Sequence, residues 1–375
     1  MSNLKNGVTL RQALNQLVMY STAVLLTCFI STASADDYYP CNSDPYYVDP
    51  CCPDTCYMDM CDTNYMLYGD FIYWQVHPEG LEFARRGGFG DSNTVEASER
   101  GCIFAPKCKF EPGFRVGLHL NLGCCNWDFY GQYTYLFSHL DTSVSVAQTV
   151  SGLRPLIWNE TYAGNTNINL ARGEWENHFN VFDFGLGRTF DVNCCFDFRP
   201  HLGFKATWQE LKYTVTYEEI VNTGLITRTQ SKMKIDFDGI GLRSGFDAAW
   251  RFSPCFRIMG GMALSAVFSD LCSFREDNFT NNTTNPTPTI TKNVDLKYEK
   301  CVLIPVAELL IGVRFDQNCC GCYDFFVFAG WEHQIWWNLN QFIFVGDSNN
   351  NNSYVLGANG GVTYQGLTVR GGVSF

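Results

Sequence analysis

Along most of this chain, apolar and polar residues change places at every second position. At the C-terminus Leu367, Val369, Gly371, Val373 and Phe375 alternate with Thr368, Arg370, Gly372 and Ser374. Phe114, Val116, Leu118 and Leu120 alternate in the same way with Arg115, Gly117, His119 and Asn121. Trp127, Phe129, Tyr133, Tyr135 and Phe137 stand against Asp128, Tyr130, Gln132 and Thr134. A fourth run sets Phe196, Phe198, Leu202, Phe204 and Trp208 against Asp197, Arg199, His201, Gly203 and Lys205. A period of two belongs to strands with unlike faces, because successive side chains leave a pleated ribbon on opposite sides. The pattern predicts about ten strands, at 65–76, 110–122, 126–138, 175–190, 195–210, 231–250, 255–268, 295–315, 322–336 and 362–375. The long polar stretches between some of them leave room for twelve or more.

The connections fall into two kinds. Gly123-Cys124-Cys125-Asn126, Asn193-Cys194-Cys195, Pro254-Cys255 and Asn318-Cys319-Cys320-Gly321-Cys322 are short and resemble one another. The stretches 138–174, 278–288 and 347–353 are long and polar. Short turns at one rim and long loops at the other are the mark of an outer-membrane barrel. Beyond Asp36 no apolar stretch is long enough for a membrane-spanning helix, and only a closed barrel satisfies the backbone of a strand in lipid. A soluble sandwich also alternates, but its polar positions would here put Arg115, His119, Arg199, His201, Lys205, Arg257, Arg314 and Arg370 into a dry core at great cost. The expected fold is therefore an all-β transmembrane antiparallel up-and-down β-barrel, aromatic side outward. Those eight residues are the candidate pore lining.

The N-terminus modifies this picture. Lys5 and Arg11 precede an apolar run over 17–30, and Ala33-Ser34-Ala35 has the form of a signal-peptidase site. Residues 1–35 read as a secretory signal peptide. Segment 36–64 reads as a cysteine-rich irregular periplasmic piece, and 65–375 as the barrel. Formal charge over the whole chain is −12, and losing Lys5 and Arg11 makes it −14, which argues against nucleic acid as a partner. Of the 18 cysteines only Cys28 lies in the signal, so the exported chain keeps an odd number. In an oxidising compartment they are expected to form disulfides or cross-links, with Cys41, Cys51, Cys52, Cys56, Cys61, Cys124, Cys125, Cys194, Cys195, Cys319, Cys320 and Cys322 as candidates. Zinc-ligand spacing is absent, as are the G-x-S-x-G and H-E-x-x-H motifs. The expectation is thus no metal, no cofactor and no enzyme activity.

One further run carries a resemblance. Tyr68-Gly-Asp-Phe-Ile-Tyr-Trp-Gln-Val-His-Pro-Glu-Gly-Leu-Glu-Phe-Ala84 resembles the first-strand signature of the Legionella/Chlamydiales-type major outer membrane proteins, in which an aromatic strand leads into a G-L-E-[FY]-A loop. The likeness continues through the paired-cysteine hairpins to Phe375, and the cysteine density points to its chlamydia-like side. It implies an abundant, oligomeric porin passing ions and small hydrophilic solutes, in an envelope hardened by disulfides to neighbouring proteins, with its loops outside. The alternative is a structural coat protein or adhesin whose barrel is plugged. Outer-membrane lipid is the partner common to both readings.

Overall fold

The structure, a computed structural model, describes residues 65–86, 101–122, 126–146, 153–157, 168–220, 226–281, 289–319, 323–348, 352–357 and 360–375. The expected signal peptide, segment 36–64 and Cys41, Cys51, Cys52, Cys56, Cys61, Cys124, Cys125, Cys320 and Cys322 lie outside the described residues.

Ten long strands follow one another: β1 Tyr65–Pro78, β2 Phe110–Asn121, β3 Trp127–Ser145, β4 Leu170–Arg188, β5 Phe196–Ile220, β6 Ile226–Ser253, β7 Phe256–Asn281, β8 Thr289–Cys319, β9 Tyr323–Asn340 and β10 Gly360–Ser374. Each pairs antiparallel with the next, and β10 returns to β1 with Asp70 opposite Arg370 and Phe71 opposite Val369. The sheet is therefore a closed ten-stranded barrel, which leaves no unpaired edge to lipid.

Alternation fixes which face each residue takes. Phe71, Phe114, Val116, Leu202, Phe204, Leu242, Ile311 and Val327 stand outward and exposed, while their chain neighbours point in. In water such a surface would be an aggregation hazard, but facing acyl chains it is at home. Aromatic belts bound it. Tyr65 stacks on Phe375 at 5.8 Å near the short-turn rim, and Tyr73 stacks on Phe110 at 5.2 Å and Tyr133 on Trp208 at 6.0 Å on the other side. Beyond Trp208 the outer face of β5 and β6 turns charged. Lys234 bonds Glu210 at 2.7 Å and Asp236 at 2.9 Å, and Lys212 pairs with Glu210 as well. Lipid does not tolerate such a ladder at its centre, so the membrane ends near Trp208 and the strands run on outside it.

Every expected strand is present, and most are longer than expected. β5 continues ten residues past its expected end at 210, and β7 continues thirteen past 268. Two short segments leave the wall and enter the barrel from its long-loop end. One includes buried Leu81 and Phe83 and leads into Ala84–Arg86, which pairs with Cys102–Phe104 and Leu153–Pro155. The other includes buried Leu339 and Phe342 and leads into a hairpin of Ile343–Ser348 with Asn352–Gly357.

Candidate functional site

The interior is built in three layers. Nearest the short-turn rim is a cavity of about 520 Å³. Above it lies a layer of ion pairs. Arg115 on β2 reaches Asp70 on β1 at 3.1 Å and Glu332 on β9 at 2.8 Å, and its Nε donates to Thr134 at 2.9 Å. Lys205 on β5 bonds Asp183 on β4 at 2.7 Å and Glu308 on β8 at 2.5 Å, and Arg243 on β6 meets the same Glu308 at 2.7 Å. These side chains are nearly dry: Arg115 is 3% exposed and Lys205 1%. A charge so buried survives only because its partners replace water, and several of these bonds join strands that are not neighbours in the sheet.

The third layer is apolar. Phe179 on β4 packs edge-on against Trp336 on β9, with ring centroids 5.6 Å apart, and lies 4.6 Å from Tyr364 on β10. In a ten-stranded barrel β4 and β9 are five strands apart whichever way one counts, so this contact spans the lumen from wall to wall. Trp74, Phe237 and Tyr213 fill the space around it, and Phe342 of the second inserted segment lies 5.7 Å from Tyr213.

Wall side chains hold the backbone of the inserted segments. The hydroxyls of Tyr213 and Tyr217 donate to the carbonyls of Leu81 at 2.7 Å and Phe83 at 2.6 Å. Ser273 Oγ donates to Gln341 at 3.0 Å, and Arg275, fully buried against Asp277, donates to the Ile343 carbonyl at 3.2 Å. Irregular backbone inside a barrel leaves carbonyls short of ladder partners, and these side chains supply them, at Phe83 alongside the Leu156 amide.

All eight candidate pore residues point inward, and each meets a partner. Arg115 and Lys205 belong to the ion-pair layer. Arg370 bonds Asp70 at 2.8 Å and lies 4.0 Å from the Tyr68 ring centroid. Arg199 chelates Asp128 and bonds Asp247 at 2.7 Å, and His119 sits 3.7 Å from Asp128. Buried His201 lies 3.3 Å from the Tyr130 hydroxyl. Arg257 and Arg314 both bond Asp316, each at 2.7 Å. Among the described residues, open space beside these charges lies at the short-turn end; deeper in, the charges are buried and paired with carboxylates. Sequence reasoning missed those carboxylates (Asp70, Asp183, Glu308 and Glu332) and Arg243. The alternation held a signal for Arg243, which lies between outward Ile240, Leu242 and Phe246.

Of the expected cross-linking cysteines, Cys194 and Cys195 lie in the β4–β5 turn, and Cys319 ends β8. Cys194 is exposed, as is Cys255 in the β6–β7 turn. The Arg251 amide donates to the Cys195 carbonyl at 2.7 Å and the Asp316 amide to the Cys255 carbonyl at 2.9 Å, so each turn leans on the end of the next strand pair. Among the described residues, Cys102, Cys108, Cys194, Cys255, Cys272 and Cys301 form no disulfide with one another.

A closed antiparallel barrel with an apolar belt, aromatic rims and a polar, charged inner face is a bacterial outer-membrane β-barrel protein. The profile of a family described as Legionella pneumophila major outer membrane protein precursor matches residues 62–371, and the chain belongs to that family. Among curated proteins none matches. Among solved structures, the outer membrane protease OmpT from Escherichia coli is similar at 12% identity, covering 84% of this chain and 99% of its own, with a TM-score of 0.36. A Pseudomonas aeruginosa FadL homologue is similar at 8% identity, 84% and 90% coverage and a TM-score of 0.24. The Acinetobacter baumannii outer membrane channel DcaP is similar at 10% identity, 84% and 96% coverage and a TM-score of 0.13.

Proposed function

We propose that this outer-membrane barrel is a structural envelope protein whose lumen is closed at its extracellular half, and that it passes solutes only after the plug moves. The observation that carries this reading is the Phe179–Trp336 contact between diametrically opposite strands. A general diffusion pore needs a water-filled path, and side chains that meet across the lumen leave none. The reading assigns no catalytic step and no cofactor. It gives the short-turn cysteines the task of joining the barrel to neighbouring copies or to other envelope proteins.

A second reading, a diffusion channel for ions and small hydrophilic solutes, draws on the charged periplasmic half. Rings of charge such as Arg199, Arg257, Arg314 and Arg370 set ion preference in pores.

Single-channel recording in planar bilayers separates the two. We expect the refolded barrel to insert without steady conductance, and a variant combining Phe179→Ala and Trp336→Ala with Tyr213→Phe and Tyr217→Phe to conduct. Those hydroxyls hold the inserted backbone at Leu81 and Phe83; without them the Leu81 carbonyl loses a buried donor, at a cost of about 1–3 kcal/mol, and the Phe83 carbonyl keeps only the Leu156 amide. Steady open steps from the unmodified protein would reject the closed lumen and establish the channel.

A further inference from the structure

The cavity at the short-turn end is blind. Its floor is the Arg115–Glu332 and Arg243–Glu308 pairs, with the apolar layer beyond them, so whatever enters must leave by the same mouth. Its volume, about 520 Å³, lies within the range of pockets that hold small ligands. Room exists because Ala249 and Gly261 stand where large side chains would fill it, and a Cβ at Gly261 would lie 2.7 Å from the Asp247 carboxylate.

Charge in this mouth is sorted by side. On β7 and β8, Arg257 and Arg314 share the single carboxylate of Asp316, each through its Nε. That leaves a surplus positive charge, and the Nη groups of both make no hydrogen bond among the described residues. Arg370 lies beside them, joined to Asp70. Toward β3, β5 and β6 the balance reverses. Asp128 and Asp247 share the single guanidinium of Arg199, with His119 also near Asp128. Asp191 and Asp197 face each other in register, and neither makes an ion pair among the described residues; the cations within electrostatic reach of Asp197 are Arg251 and Arg257.

A simple anion is drawn to one side and repelled by the other, and a simple cation likewise. A molecule with both charges satisfies both sides, in a cleft whose low-dielectric walls strengthen each attraction. Two guanidinium forks with free N–H groups suit a carboxylate, and the paired carboxylates suit an ammonium. Met66 and Met259 supply adaptable apolar surface between them. We propose that the vestibule is a binding site for a small zwitterion with a free carboxylate and a free ammonium, of the size of an amino acid or short peptide, taken from the periplasmic side.

The test is calorimetric titration of the folded barrel in detergent with trialanine, N-acetyl-trialanine and trialanine amide. Trialanine is expected to bind, and blocking either end to weaken binding tenfold or more. In the double variant Asp191→Asn, Asp197→Asn the preference for a free amine should vanish, and in Arg314→Gln the preference for a free carboxylate. Circular dichroism and heat-modified gel migration report folding of each variant, and the two act on strands three apart in the wall, so either one suffices if the other misfolds. No binding of trialanine to folded protein would overturn the proposal, as would equal binding of the capped peptides or preferences unchanged in the folded variants. The outcome is independent of conductance: a silent barrel that binds trialanine, and a conducting one that ignores it, are both distinguishable results.

Discussion

Arg115 neutralises two acids at once, Asp70 on β1 and Glu332 on β9, from a strand adjacent to only one of them. Replacing it with Met would keep most of its volume, strip buried Glu332 of its counter-charge and leave Asp70 with Arg370 alone. Removing one partner of a buried pair costs about 3–5 kcal/mol, much more than an exposed pair is worth. We therefore expect Arg115→Met to lower the urea midpoint of unfolding markedly, as read by loss of heat-modified migration. Arg172→Met, which breaks the largely exposed pair with Glu174, should move it little. Equal effects from the two would show that the buried layer is not what holds the wall together.

The strands themselves were legible wherever one face meets lipid, because an outward Leu202, Phe204 or Trp208 beside an inward Arg199 or Lys205 makes the period of two plain. The signal weakens where both faces leave that environment. On β5, Glu210 and Lys212 point out and Leu211 and Tyr213 point in, an inverted pattern that reads as a polar loop. The partners of the inward charges were not legible for a different reason. Which carboxylate meets Lys205 depends on register and on closure of the barrel, and neither is local in sequence. The ladder beyond the lipid carries its own prediction. Bonds from Lys212 and Lys234 pull the Glu210 carboxyl down from 4.5 to about 2. A depressed acid stabilises fully above its unfolded value, so this contribution should fade as pH falls from about 4.5 to about 2. Amide exchange in the 210–216 and 230–236 segments should quicken over that window, and in Glu210→Gln the pH step should be missing. A step of unchanged size in the variant would assign it to other carboxylates.

At the scale of the whole molecule, the two ends differ in kind. The short-turn rim presents Cys194, Cys195 and Cys255 around the vestibule mouth, so covalent attachment and entry to the cavity share one side. If these cysteines join barrels to their neighbours, non-reducing electrophoresis of envelopes should show high-mass bands that collapse with reductant and fade in a Cys194→Ser, Cys195→Ser, Cys255→Ser variant. A single monomer band under both conditions would sink the idea. The other end is reached by strands that outrun the membrane. From Trp208 to Ile220 at about 3.3 Å per residue and a tilt of about 40°, β5 climbs roughly 30 Å above the aromatic belt. The barrel is thus a mast as well as a wall. Because the mast is closed by its own ladder and core, substitutions at its outer end, around Glu218 and Arg228, are expected to leave the membrane anchor intact. Whatever approaches the cell meets that outer end first, a face free to diversify on a foundation that is not.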